Sequence, residues 1–189
     1  YHSSTNVGGG KRLANALRVS TGLAGYGTKL LRKHTGQGIA VTAAEERNNS
    51  TFCACTAEVS VDINDGTIDV RKLTVAIDVG LVVNPDGIRA QVEGSLLWGL
   101  SNTLQEELTL EKGSFSQDNF DTYRWQTIAD VPELDIHILE NGLHPSGAGE
   151  PATSVVGAAV ANAIFDAVGV RIRTLPVRRR DIVEALRAS

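Results

Sequence analysis

At 189 residues, with 42% hydrophobic residues and a formal net charge of −4, the chain is long enough to bury one sizeable core or two small ones and carries no basic stripe for a phosphate backbone. Arg178 to Arg180 form the one dense cationic run, too short for a nucleic-acid surface, and no window has the uninterrupted apolar length of a bilayer span. There is no signal-peptide core, and the absence of any methionine leads us to expect the natural start upstream.

Glycines at 8, 9 and 10 predict a mobile leader. From Lys11 onward, Leu13, Leu17 and Ala24 share one helical face until Gly25-Tyr26-Gly27 ends it. Lys11 after three glycines lacks the Gly-Lys-Ser/Thr and preceding strand of a phosphate loop. Extended chain begins near Gly38. From Phe52, Cys53, Cys55, Ala57, Val59, Val61 and Ile63 alternate with Thr56, Glu58, Ser60 and Asp62, the pattern of a half-buried strand. Asn64-Asp65-Gly66 then predicts a turn into a second run through Ile68, Val70, Leu73, Val75, Ile77 and Val79. The apolar positions change parity between Val70 and Leu73, which predicts a bulge near Arg71 and Lys72. Cys53 and Cys55 share one face, without enough neighbouring ligands for a metal, and read as small buried apolar residues.

Asn84 followed by Pro85 predicts a capped helix start, with Ile88, Val92, Leu96, Leu100 and Leu104 continuing on one face. A short hairpin turns at Lys112-Gly113, and Leu134, Ile136 and Ile138 alternate as a further strand. A loop from Asn141 to Glu150 contains Gly142, Pro145, Gly147 and Gly149 and leads to a helix carrying Val155, Val156, Ala159, Val160, Ala163 and Ile164, ended by Gly169. Arg171 to Val177 is expected as a last strand and Asp181 to Leu186 as a terminal helix. The expected class is α+β, a mixed or antiparallel sheet with helices packed on it, divided into a leader and helix over 1–37 and a main body over 38–189.

Pro151 suits the first helical position, so Glu150 is expected at or just before the N-cap, where free N–H groups and the helix dipole favour a charged carboxylate. Gly147 and Gly149 let another group approach the main chain. On these residues alone, Glu150 reads as a helix cap or as a base facing a bound group. His2, His34, His137 and His144 are scattered, with His144 alone in this loop.

Ala57-Glu58-Val59-Ser60-Val61-Asp62, Ala76-Ile77-Asp78-Val79-Gly80, Val83-Asn84-Pro85, Ala90-Gln91-Val92-Glu93-Gly94 and Gly149-Glu150-Pro151 follow one another in an order and spacing that resembles the last part of xanthine-dehydrogenase-like large subunits. Asn119-Phe120-Asp121-Thr122-Tyr123, Val131-Pro132-Glu133-Leu134 and Ala161-Asn162-Ala163-Ile164-Phe165 are similar to the isoquinoline oxidoreductase branch. The resemblance runs from about Gly38 onward and implies the C-terminal molybdenum-cofactor-binding domain of a molybdenum hydroxylase. It implies a pterin-held molybdenum, with Glu150 of Gly-Glu-Pro removing the proton of a metal-bound hydroxide, and Gln91 and Gly149 beside the pterin. It implies no direct metal ligand in this chain. The pterin's nucleotide form is left open, a cytosine dinucleotide being one.

The implied partners are the upstream part of the same large subunit, a small subunit carrying iron-sulfur clusters, and a small N-heterocycle or aldehyde. The chain alone is then expected to be inactive, and cytoplasmic and periplasmic locations both stay open. Glu93, Asp78 and Asn84 read as structural; Gln91 equally suits an exposed polar position on its helix. Competing readings are a noncatalytic cofactor-binding or assembly module and a structural α+β domain without cofactor. The catalytic reading requires the Glu150 carboxylate and the Gln91 amide to border one open hollow.

Overall fold

The structure, a computed structural model, describes residues 9–46 and 49–188. Helix α1 (Gly9–Ala24) precedes strands β1 (Thr35–Glu46), β2 (Asn49–Val61) and β3 (Ile68–Asp78). Helix α2 (Pro85–Leu104) leads to a small hairpin, β4 (Leu110–Glu111) and β5 (Ser114–Phe115), then to β6 (Glu133–Leu139), α3 (Thr153–Val168) and α4 (Arg179–Ala188). The main sheet has the order β1-β2-β3-β6; the first three strands are antiparallel, and β6 lies parallel to β3, with Lys72 opposite Glu133 and Asp78 opposite Leu139.

Strand alternation explains the layers. Cys53, Cys55, Ala57 and Val59 on β2, with Leu73, Val75 and Ile77 on β3, form one core with Val92, Leu96 and Leu100 of α2, Val156, Val160 and Ile164 of α3, and Ile182 of α4. On the other face, Ala54 and Ala76 meet Ala16 and Leu17 of α1. Ser20 of α1 is buried there and satisfied by Thr56 Oγ1 (2.8 Å) and the Thr74 carbonyl (2.9 Å). The parity change between Val70 and Leu73 is a β-bulge: Val59 faces Val70 and Glu58 faces Lys72, which leaves Arg71 as the extra residue.

Helix α3 lies against β1 with almost no side chain between. A Cβ on Gly38 would overlap the Ala159 carbonyl and the Ala163 nitrogen, and one on Gly36 would overlap the Ala167 nitrogen. Asn84 caps α2 by accepting from the Gly87 N–H at 2.9 Å, with Pro85 directly following.

Three expectations need correction. Of the glycine leader, Gly8 lies outside the described residues, as does His2, while Gly9 and Gly10 already belong to α1. Arg171 to Val177 is not a strand, because Pro176 has no N–H to offer a ladder and the Val177 N–H bonds instead to the Thr103 carbonyl at the end of α2, 2.7 Å away. Helix α3 starts at Thr153, with Ala152 at the N-cap; Pro151 and Ala152 make a turn closed by the Thr153 N–H to the Glu150 carbonyl (2.9 Å), so Glu150 stands ahead of the cap.

The strand directions place the site. Parallel β3 and β6 end at the same edge of the sheet, and antiparallel β2 begins there, so the turn after Asp78, the loop after Leu139 and Ser50-Thr51 all meet at that edge.

Candidate active site

The loop from Asn141 to Glu150 is fastened to this edge along most of its length. Asn141 donates through Nδ2 to both carboxylate oxygens of Asp78, at 2.8 and 2.9 Å. The Leu81 N–H bonds to the Leu143 carbonyl (2.8 Å), and the Ser146 N–H to the Val79 carbonyl (2.9 Å). Thr51 Oγ1 lies 2.6 Å from Ser146 Oγ and donates to the Gly147 carbonyl at 2.7 Å. A loop with this many main-chain anchors holds its last residues, Gly149 and Glu150, on a rigid frame.

Glu150 is exposed, and its carboxylate has no hydrogen bond or ion pair among the described residues. Gln91 lies on the exposed side of α2, and its carboxamide likewise has no partner among the described residues. Gln91 and the loop meet at Gly149: a Cβ added there would stand 3.7 Å from Gln91 Oε1 and 4.0 Å from Cδ. Sequence-separated Gln91 and Gly149 are therefore neighbours, with Glu150 one residue further along the chain. Asn84 caps α2, as its sequence context predicts, and Asp78 holds the turn after β3 through the Gly80 N–H at 3.0 Å. His34 and His137 lie away from the loop, on β1's approach and on β6, whereas the exposed His144 backbone abuts Gly80.

Cys53 and Cys55 are free and buried in the core. Burial pushes the Cys53 thiol up to about 12 and raises Cys55 as well, the latter helped by its neighbour Cys53. No group of three or more His, Cys, Asp or Glu able to hold a metal occurs among the described residues, and no helix there is long and apolar enough to cross a membrane.

Sequence reasoning missed the residues that fasten the loop: Arg12, whose guanidinium pairs with Asp78 at 2.6 Å, Asn141, Thr51 and Ser146. It also missed a cavity of about 340 Å³ away from this edge, lined by Leu97, Trp98, Trp125, Gln126, Ile128 and Val131.

Residues 15–132 match the family described as the molybdopterin cofactor-binding domain. The chain is 45% identical over 181 residues, 96% of its length and 23% of the relative's, to a protein of Gluconacetobacter polyoxogenes named membrane-bound aldehyde dehydrogenase [pyrroloquinoline-quinone]. It is 31% identical over 143 residues to the isoquinoline 1-oxidoreductase subunit beta of Brevundimonas diminuta, covering 76% of this chain and 18% of that one. Among solved structures, quinoline 2-oxidoreductase from Pseudomonas putida 86 superposes with a TM-score of 0.68 at 25% identity, over 74% of this chain and 19% of that chain. The aldehyde oxidoreductase from Desulfovibrio gigas does so with a TM-score of 0.65 at 26% identity, over 77% and 17%. The architecture is that of a molybdenum-hydroxylase cofactor-binding domain, and the chain belongs to the molybdopterin cofactor-binding domain family. It spans less than a quarter of the length of the curated relatives it matches.

The residues present fit a pterin. Its heterocyclic edge needs paired donors and acceptors and a close approach to backbone, and the Gln91 carboxamide beside the bare Gly149 main chain offers both.

Proposed function

We propose that this chain is part of the catalytic large subunit of a molybdenum oxidoreductase that hydroxylates an N-heteroaromatic compound or oxidises an aldehyde, with Glu150 as general base and with Gln91 and Gly149 contacting the pterin. Membership of the molybdopterin cofactor-binding family supports the cofactor class. The substrate classes are supported by relatives named for isoquinoline, quinoline, nicotinate and aldehyde oxidation. The observation that carries the role of Glu150 is its setting: an exposed carboxylate, unpaired among the described residues, next to the Gly149–Gln91 contact on a loop tied to the sheet.

When bound, the molybdenum-pterin group supplies an oxygen for transfer and accepts the two electrons of the oxidation. Glu150 takes the released proton on a carboxylate oxygen and hands it to solvent, a transfer that an unpaired carboxylate performs without first breaking an ion pair. Gln91 orients the pterin through one planar amide that both donates and accepts, and Gly149, with no side chain, keeps the main chain beside that amide open to the pterin's approach. The upstream part of the large subunit completes the cofactor site, and a partner subunit with iron-sulfur clusters takes the electrons away; this chain alone does not turn over.

The test is Glu150→Gln in the complete enzyme, with molybdenum per subunit measured beside turnover. Loss of a general base lowers kcat by roughly 10²–10⁴-fold while leaving the metal in place. A fully metallated Glu150→Gln enzyme that keeps near-wild-type turnover refutes the assignment and favours a noncatalytic cofactor-binding or assembly module.

A further inference from the structure

The proposed chemistry leaves the carboxylate of Asp78 unused, yet that group is only 3% exposed and gathers partners from separate parts of the chain. Arg12 of α1 donates through Nε to Oδ2 (3.1 Å) and through Nη2 to Oδ1 (2.6 Å), and its guanidinium lies over the Phe52 ring, 4.6 Å from the centroid. Asn141, just beyond β6, donates to both oxygens, and the Gly80 N–H to Oδ1. A buried charge needs compensation of this kind. The same partners join three separate segments at one point: α1 through Arg12, the turn after β3 through Gly80, and the loop after β6 through Asn141.

Both segments leaving this cluster run to the candidate site. Asn141 Oδ1 accepts from the Leu143 N–H (3.0 Å), and the following residues carry the main-chain bonds to Leu81 and Val79 before the chain reaches Gly149 and Glu150. In the other direction Gly80 leads through Leu81 to the Asn84 cap and to α2, which bears Gln91. The two segments touch backbone to backbone: Gly80 has φ +79°, and a Cβ there would overlap the His144 carbonyl.

We infer that Arg12, Asp78 and Asn141 form a positioning cluster that sets the Glu150 loop against the start of α2, and so fixes Glu150 relative to Gln91. The inference rests on the reading of Glu150 as base. Its magnitude follows from the sensitivity of reacting geometry, where a displacement of about 1 Å costs on the order of 10²-fold in rate. A purely structural clamp would lower stability and leave the turnover of folded enzyme unchanged.

Asp78→Asn strips the counter-charge from part-buried Arg12 and risks the fold, so the informative variant is Asn141→Ala, which removes an exposed side chain and keeps the Arg12–Asp78 pair. Two quantities are read on the complete, cofactor-loaded enzyme: hydrogen–deuterium exchange of residues 141–150, and kcat in Asn141→Ala, Glu150→Gln and the double variant. Asn141→Ala is expected to speed exchange at Leu143 and Ser146 by roughly tenfold while α3 keeps its protection. It lowers kcat by roughly 10–100-fold, with KM and molybdenum content close to wild type. The double variant is no slower than Glu150→Gln, because a misplaced base and an absent base fail at the same step. Unchanged loop exchange, wild-type kcat in Asn141→Ala with an inactive Glu150→Gln, or effects that multiply in the double variant each overturn the inference. An active Glu150→Gln instead removes the base assignment, and the exchange measurement then decides by itself whether the cluster holds the loop.

Discussion

The Gln91 carboxamide stands against Gly149 across the seam between α2 and the loop before α3, with Oε1 3.7 Å from where a Cβ on Gly149 would lie. At that separation an added methyl makes ordinary contact, so Gly149→Ala is expected to leave folding stability within about 0.5 kcal/mol of wild type while filling the space beside the amide. Gln91→Ala removes an exposed, unbonded side chain with as little effect on stability, and on the proposed contact it is expected to cost the pterin about one hydrogen bond, roughly 0.5–1.5 kcal/mol or about two- to thirteenfold in affinity. Pterin and molybdenum per chain after dialysis, set beside a thermal melt, check both. Full retention in the two variants removes these residues from the cofactor site.

The seam between β1 and α3 leaves no room for a side chain at Gly38. Because a methyl on Gly38 collides with helix backbone, Gly38→Ala must push α3 off the sheet. The expected loss is about 3 kcal/mol or more, at the upper end of what overpacking costs. Denaturant unfolding of purified protein measures it, and a change under about 1 kcal/mol contradicts the packing described for this interface.

Both cysteines are predicted to be inert in the native state. With its thiol pushed up to about 12, Cys53 has almost no thiolate at pH 8, and Cys55 lies as deep in the core. Iodoacetamide at pH 8 should leave both unlabelled in folded protein and modify both in guanidinium, as read by peptide mass spectrometry. Native labelling of either peptide shows that this part of the sheet opens.

Lys72 ties the parallel pair together by donating to Glu133 (2.8 Å) and reaching Asp135 (3.1 Å). The hydrogen bond to Glu133, chiefly, raises its pKa above the ordinary 10.5. A raised lysine stabilises the fold fully below its unfolded value, and that contribution disappears as pH climbs through the folded one. Lys72→Met is therefore expected to cost less than about 1 kcal/mol at pH 7, since Glu133 is largely solvated, and to converge with wild type above about pH 10.5. Melting curves across pH 7 to 11, repeated in high salt, test this; a gap that widens with pH reverses the sign.

Some of this architecture is legible in the residues because local chemistry dictates it. Asn84-Pro85 marks the start of α2, and the parity change from Val70 to Leu73 exposes the Arg71 bulge, since a strand that keeps its core face across a slip must absorb one residue. The alternation of Leu134, Ile136 and Ile138 reveals a strand but not its direction, so the parallel pairing with β3 is learned only from the structure. Arg171 to Val177 reads as a short last strand, yet Pro176 has no N–H for a ladder and the Val177 N–H is captured by the Thr103 carbonyl. Gln91, Gly149 and Glu150 stand out through their motifs. The ties that hold them do not, because Arg12 and Asn141 reach Asp78 from 66 and 63 residues away and no periodicity records such a contact.

Parallel β3 and β6 fix where the chain between the end of α2 and Glu133 must begin and finish, and the Gln126 N–H bond to Ser101 Oγ (2.9 Å) holds its middle to α2. That span, with its tiny hairpin, lies away from the edge where the Asn141–Glu150 loop is tied down, so a change in its length leaves the bonds to Asp78, Val79 and Leu81 in place.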